Sequence, residues 1–423
     1  DAQESRGLGD VYKRQVYDLT NSPVRYIAHW EDSLRVPRCT RDTSDSWFIN
    51  GFQGIYGSIG DGYGFNEAGE YVPVYTYTTY KNDSNQTVAR ITGYTGRTYA
   101  LVIPDTIDDY TVESIGSGAF AKRSDITAVV IPDTVKKIES NAFGNCQNIR
   151  SVQLSSNLKQ IDAHAFYNCD KLTGIQIPKS LETTATAYIP SYAYGYVLGP
   201  FYGCDNLKHV TFEEGTKKVA KGLFANCPGL EEVTIPDSVV QVEESAFYHC
   251  DNLKQVNIGS GVTTLGYTSF AKCDIQTLGI PDNVLTISGG CFAENENLSG
   301  VKLSENLETL DAHAFYNCDS LTSIEIPKTL KTVNTVYINQ YAYGYVFGPF
   351  YGCDGLKQVT FEDGLNRIPQ GLFANCPGLE EISMPDSVQK IGNNAFATCV
   401  SLKEVTIGKG VTLLETKAFA ECE

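Results

Sequence analysis

Basic residues are scarce in this chain. Its 423 residues carry 33 Lys and Arg against 50 Asp and Glu, a formal charge of −17. Such a surface repels polyanions, which excludes nucleic acid and anionic membrane surfaces as partners. No apolar run approaches the roughly 20 residues that a membrane-spanning helix needs, so no membrane insertion is expected of this sequence. The motifs H-E-x-x-H, G-x-S-x-G and the P-loop are missing, and with them the usual zinc-protease, hydrolase and nucleotidase chemistries. No C-x-x-C pair occurs among the 13 cysteines, which argues against a zinc or dithiol redox site. The chain therefore reads as a non-enzyme without cofactors.

What is present is a clock. Phenylalanines stand at Phe120, Phe143, Phe166, Phe201, Phe224, Phe247, Phe270, Phe292, Phe315, Phe350, Phe373, Phe396 and Phe419. The spacing is 23 residues, except for 35 after Phe166 and Phe315 and 22 after Phe270. A fixed period in this range marks a solenoid, whose coils bury their apolar faces only against one another.

One repeat shows how. The repeat ending at Phe166 has Ile149, Val152, Leu154, Leu158, Ile161, Ala165, Phe166 and Cys169, and the Phe247 repeat has Leu230, Val233, Ile235, Val239, Val242, Ala246, Phe247 and Cys250 at the same offsets. Val152 and Leu154 alternate with polar neighbours, as in a strand with one face inward. Proline often follows at once, as at Pro132, Pro178, Pro236, Pro281, Pro327 and Pro385, a residue suited to a strand end. Leu158 and Ile161 predict a second short inward segment, and residues 162–166 predict one tight helical turn that drops Phe166 into the core. The 22-residue gap falls just after Cys273, where Cys-Asp-Ile replaces Cys-Asp-Asn-Leu. A deletion there shortens an outer turn and spares the core ladder. The fold expected is a β-rich solenoid of about 13 coils.

The pattern L-x-x-I-x-I-P-x-x-V-x-x-I-x-x-x-A-F-x-x-C resembles the BspA-type leucine-rich repeats of bacterial and protozoan surface proteins. Leu230 to Pro236 and Leu321 to Pro327 fit it directly, and the resemblance covers residues 86–423. It implies a right-handed leucine-rich-repeat superhelix with short helical turns. It also implies a secreted or wall-attached binding protein, often linked to adhesion, with no catalytic residues to carry over.

A longer period of 149 residues duplicates a six-coil block: Gly-Leu-Phe-Ala-Asn-Cys-Pro-Gly-Leu-Glu-Glu occurs at 222–232 and again at 371–381. Each block carries one insertion, near 186–199 and near 335–348, where the spacing lengthens by 12. The first presents Tyr188, Tyr192, Tyr194 and Tyr196, with Tyr202 beyond. The second presents Tyr337, Tyr341, Tyr343 and Tyr345, with Tyr351 beyond. Solenoid insertions map to loops, often on the binding face, and tyrosine offers rigid contact area with a hydrogen-bonding tip. Six coils, roughly 30 Å at the strand spacing, would suit a repetitive or bivalent ligand. Two readings stand: the tyrosines contact a ligand, or each loop folds back and packs them as a satellite core. A second candidate surface is the outward strand row Gln153, Gln176, Thr211, Thr234, Asn257, Lys302, Glu325, Thr360, Ser383 and Thr406, either an ordinary solvated face or a binding sheet.

Eleven cysteines stand three residues after a repeat phenylalanine. Stacked side chains run parallel, so neighbouring Cβ atoms stay near the ~4.8 Å strand spacing, beyond the usual ~3.5–4.5 Å of a disulfide. They read as buried free thiols. Arg123 and Asn295 take the cysteine position in two coils. His164 and His313 occupy equivalent turn positions and read as duplicated solvent-facing residues.

The ends are irregular. Residues 1–15 look like translated adaptor sequence and are set aside. Residues 16–85 lack the clock, and the Gly- and aromatic-rich stretch at 51–64 reads as loop. With no initiator Met and a stop at Glu423, one residue past a repeat cysteine, the chain reads as a fragment, so a missing signal or anchor says nothing about export. The sequence points to a non-catalytic surface or secreted protein that binds a protein or glycan, for instance on a host or neighbouring cell. The alternatives are a stalk presenting another domain, or the targeting part of an enzyme whose catalytic domain lies elsewhere.

Overall fold

The computed structural model describes the strands Tyr26–Glu31, Val36–Arg41 and Tyr63–Phe65, and residues 71–189, 196–338 and 345–422. The chain is a β-solenoid of about 13 turns that forms two compact units: residues 1–183 with 203–211, and residues 184–202 with 212–423.

Each coil contributes two short strands. In the second unit the first-strand ladder pairs Glu232–Thr234 with Gln255–Asn257 in parallel, and the second-strand ladder runs through Lys218–Val219, Gln241–Val242, Thr264–Leu265, Thr286–Ile287 and Thr309–Leu310. In the first unit Ala100–Val102, Ala128–Val130 and Ser151–Gln153 form the same parallel arrangement. The repeat proline closes the corner between the strands: its carbonyl accepts the N–H three residues on, as in Val239 to Pro236 (3.0 Å) and Val388 to Pro385 (3.1 Å). The antiparallel hairpin Tyr75–Lys81 and Thr87–Tyr94 joins the sheet through the pairing of Thr87–Tyr94 with Tyr110–Ile115, so its first strand lies ahead of residue 86.

The ladder positions read from the sequence are the core. Ile149, Leu158, Ile161, Phe166, Cys169 and Leu172 are all fully buried. Phenylalanine rings stack on phenylalanine rings: Phe120 on Phe143 at 5.0 Å and Phe143 on Phe166 at 5.1 Å in the first unit, and every pair from Phe201 to Phe419 in the second at 5.1–5.6 Å. The 22-residue coil keeps this stack (Phe270 on Phe292, 5.5 Å) and the second-strand pairing of Leu265 with Ile287. Its first strand, Thr277–Gly279, pairs forward with Gly300–Lys302 only.

The phenylalanine turn is not helical, and the described residues contain no α-helix. The residues two before and two after the phenylalanine have positive φ in coil after coil: Asn141 and Asn145, His164 and Asn168, Ser245 and His249, Thr268 and Lys272. This reversal splits the hydrogen bonds into two sets. The N–H groups of Ala142, Gly144 and Cys146 close local turns onto Glu139, Asn141 and Phe143, while those of Phe143 and Asn145 donate to Ala165 and Tyr167 of the next coil. A helix would spend all of them locally, so the expected helical turn gives way to a turn knitted to its neighbour.

The repeat cysteines lie free and buried, apart from the partly exposed Cys422. Ten of the eleven thiols have a task that the sequence did not show, donating to the phenylalanine carbonyl of the preceding coil. Cys250 Sγ donates to the Phe224 carbonyl (3.2 Å), Cys273 to Phe247 (3.3 Å) and Cys353 to Phe315 (3.0 Å). The two replacements do the same work. Asn295 Nδ2 donates to Phe270 and Phe292 carbonyls (2.8 and 2.9 Å). Arg123 reaches the carbonyls of Tyr94 (3.0 Å) and Gly96 while paired with Asp125 (2.7 Å).

Candidate functional site

Both insertions are antiparallel β-hairpins within the second unit. Ala187–Ile189 pairs with Tyr196–Leu198, so that Tyr188 opposes Val197 and Ile189 opposes Tyr196. Val336–Ile338 pairs with Tyr345–Phe347, so that Tyr337 opposes Val346 and Ile338 opposes Tyr345. Hairpin pairing thus brings Tyr188 and Tyr196 onto one stem and Tyr337 and Tyr345 onto the other. Tyr192, Tyr194, Tyr341 and Tyr343 lie outside the described residues.

Each stem rests on the coil that follows it, the one beginning with the duplicated Gly-Leu-Phe-Ala-Asn-Cys. Asn226 Nδ2 donates to the Val197 carbonyl (2.6 Å), and Asn375 Nδ2 to the Val346 carbonyl (2.8 Å). A Cβ on Gly371 would stand 2.5 Å from Thr335 Cγ2 and 3.1 Å from Val346 Cγ1, and one on Gly222 would collide with Thr186 and approach Val197 Cγ1 to 3.2 Å. Gly199 and Gly348 pass so close to the carbonyls of Gly222 and Gly371 that neither has room for a side chain. Sequence reasoning saw this motif only as a trace of duplication. The signal it overlooked is glycine and asparagine at the two left-handed turn positions, in the one coil of each block that follows an insertion.

Around the first stem, Val197 joins a buried stripe of Ala225, Tyr248, Ala271 and Ala293, with Tyr316 packed against it. The second stem meets an aromatic group. Phe347 packs edge-on to Tyr351 (4.7 Å between ring centres), Tyr351 stacks on Tyr316 (5.3 Å), and the His313 ring stands 5.3 Å from Phe347 and 5.8 Å from Tyr351. His164 and His313 are therefore half-buried against aromatic rings and not solvent-facing as expected. His164 lies edge-on to Tyr167 at 5.4 Å. Burial alone lowers the pKa of both imidazoles below the usual 6.5, because desolvation disfavours the charged form.

The outward strand row is aligned by register: Thr234 with Asn257, Lys302 with Gly279, Glu325 with Thr360, and Ser383 with Thr406. Gln153 and Gln176 are half-buried, and the others of the row are exposed. Charges beside it are paired across coils, as where Glu380 meets Lys357 (3.1 Å) and Lys403 (3.7 Å). Among the described residues no group of His, Cys, Asp and Glu has the arrangement to hold a metal, and no helix is long and apolar enough to cross a membrane.

No curated protein matches the chain. Solved structures do. A leucine-rich repeat protein from Bacteroides ovatus is similar over 83% of this chain and 91% of its own, at 22% identity with a TM-score of 0.54, a likeness of fold. A leucine rich cell surface protein from Faecalibacterium prausnitzii aligns over 83% of this chain and 93% of its own (25% identity, TM-score 0.39), and a pneumococcal vaccine antigen over 83% and 98% (21% identity, TM-score 0.44). The family model described as "BspA type Leucine rich repeat region (6 copies)" matches residues 113–219, 217–344 and 347–423. The stacked phenylalanines, the cross-coil turns and this match over most of its length place the chain in the BspA-type leucine-rich-repeat family.

Proposed function

We propose that this protein is a non-catalytic binding protein, secreted or attached at a cell surface, that recognises a protein or glycan through its exposed strand row and its two tyrosine hairpins. The residues assigned to contact are Tyr188, Tyr192, Tyr194 and Tyr196 of the first hairpin and Tyr337, Tyr341, Tyr343 and Tyr345 of the second. One observation carries the reading: two hairpins, six coils apart, rest in the same way on the solenoid, so each tyrosine-rich loop leaves it from a fixed stem. A stem fixed on the solenoid lowers the entropy that binding through it must lose, which favours recognition over display. The balance of acidic over basic residues points to partners other than polyanions.

The test is a binding survey. The protein is applied to a printed glycan array and to immobilised extracellular-matrix proteins, beside a variant with Tyr192, Tyr194, Tyr341 and Tyr343 replaced by Ser. A spot bound by the parent and lost in the variant, with circular dichroism unchanged, supports the reading. Equal binding by both removes the hairpins from the site. No binding to any probe favours a stalk.

A further inference from the structure

We infer that Gly222 with Asn226, and Gly371 with Asn375, are positioning residues: a latch that holds each tyrosine hairpin against the coil behind it. Their role as part of a binding site rests on the function proposed above; their role as a latch stands on geometry alone.

Backbone conformation alone does not require glycine at these positions. Gly222 and Gly371 have φ of +58° and +62°, and the equivalent left-handed position is also glycine at Gly118 and Gly290, yet it holds Asn141, His164, Ser245, Thr268, His313, Asn394 and Lys417 in other coils. Those coils show that the conformation itself accepts a side chain. Above Gly222 and Gly371 it is filled by Thr186 with Val197, and by Thr335 with Val346. The missing Cβ is a socket for the stem.

The asparagine is the other half of the latch. The position two after the phenylalanine holds Lys122, His249, Lys272, Glu294, Thr398 and Glu421 in coils without a hairpin on them. Asn145, Asn168 and Asn317 show that asparagine is common there, and Asn168 Nδ2 donates to the Asn145 side chain (3.3 Å). In the two coils behind a hairpin, the amide instead turns to the stem carbonyl. Asn226 is buried, so its hydrogen bond is made out of competition with water, where an unpaired carbonyl would be costly.

The same contacts are made in both copies of the duplicated block. Other positions of the insertions differ between the copies, Leu198 against Phe347 and Pro190 against Asn339, while Gly, Asn, Thr and Val of the latch are the same in both. Further ties differ in kind but act at the same place: Thr184 Oγ1 donates to the Lys221 carbonyl, and Gln370 Nε2 to Thr335 Oγ1 (3.4 Å).

The experiment uses the whole chain and reads amide exchange in the stems Val336–Ile338 and Tyr345–Phe347. Asn375→Ala removes the donor without adding atoms, Gly371→Ala fills the socket, and Asn394→Ala is the control, an equally left-handed asparagine in the next coil. Loss of one partly buried hydrogen bond predicts roughly tenfold faster exchange in the stem, with exchange in Lys390–Ile391 unchanged. Asn394→Ala should leave the stem slow. Should Gly371→Ala fail to fold, Asn375→Ala decides by itself. Stem exchange as slow in Asn375→Ala as in the parent, or accelerated equally by Asn394→Ala, overturns the latch. The same variants on the glycan and matrix probes then test the separate question. A loosened stem with undiminished binding leaves the latch intact and refutes the hairpins as the contact site.

Discussion

Replacing Asn295 by the cysteine that the repeat calls for should destabilise the protein, and the reason lies one coil earlier. In ordinary coils the leucine N–H after the cysteine turns back onto the cysteine carbonyl: Leu253 to Cys250 at 2.9 Å, Leu321 to Cys318 at 3.1 Å. The deletion after Cys273 leaves Ile275 one residue too near to close that turn, and its N–H is met instead by Asn295 Oδ1 at 3.3 Å. Asn295 thus supplies a stronger acceptor than a thiol sulfur, while its amide does the thiol's usual work on Phe270 and adds a bond to Phe292. Both Asn295 and Ile275 are fully buried. In Asn295→Cys the Ile275 amide is orphaned, at about 1–2 kcal/mol for a long bond, and the Phe292 bond is lost for about 1 kcal/mol more. The expected cost is therefore about 2–3 kcal/mol. Inserting Asn between Asp274 and Ile275 recreates Cys250-Asp251-Asn252-Leu253 and gives the orphan its ordinary partner. In that background Asn295→Cys should cost under about 1 kcal/mol. Urea midpoints by circular dichroism for the four proteins of this cycle, with exchange of the Ile275 amide, measure the coupling. Equal losses in both backgrounds would refute the compensation.

Other outcomes follow from the same interactions. Burial pushes the thiols of Cys204, Cys250 and Cys353 up to about 12 from an ordinary 9.0. The folded chain holds protons there that the unfolded chain releases, so stability is whole below pH 9 and falls as pH rises toward 12. Iodoacetamide at about pH 8 should label these thiols only in urea, and dithiothreitol should leave the melting temperature unchanged. Thr398 holds φ of +60°, an outlier for a β-branched residue, and its hydroxyl makes a long 3.4 Å contact to Glu421. Thr398→Asn should stabilise by about 1 kcal/mol, read as a higher urea midpoint. His313, its pKa lowered by burial from 6.5, contributes stability present above that value and lost as pH falls through its folded value. His313→Phe should therefore flatten the acid limb of a melting-temperature profile. An unchanged profile would contradict the buried assignment.

The sequence carried the core almost completely, because each inward residue repeats at a fixed offset and burial follows the period. Leu158, Ile161, Phe166 and Cys169 could be placed without a structure. The turn conformation could not, since His164 and Asn168 look like ordinary turn residues and their N–H partners lie a coil away. The compensation at Asn295 was visible as two separate irregularities, a missing residue and a missing cysteine, 20 positions apart. Only the hydrogen bond from Ile275 joins them. The hairpin latch escaped for a like reason: Asn375 stands 29 residues from Val346, and duplication alone accounts for the recurrence of Gly371 and Asn375 in the text of the chain.

The alternating hydrogen bonds of the phenylalanine turn bear on how such a chain acquires order. With every second amide of a turn reserved for the following coil, a turn cut off from its successor leaves those amides without partners. Growth must then spread from a few neighbouring coils along the array, each finished rung laying down the pattern for the next, as layers are added to a crystal. A damaged rung would halt that spread locally while the sections on either side stay intact.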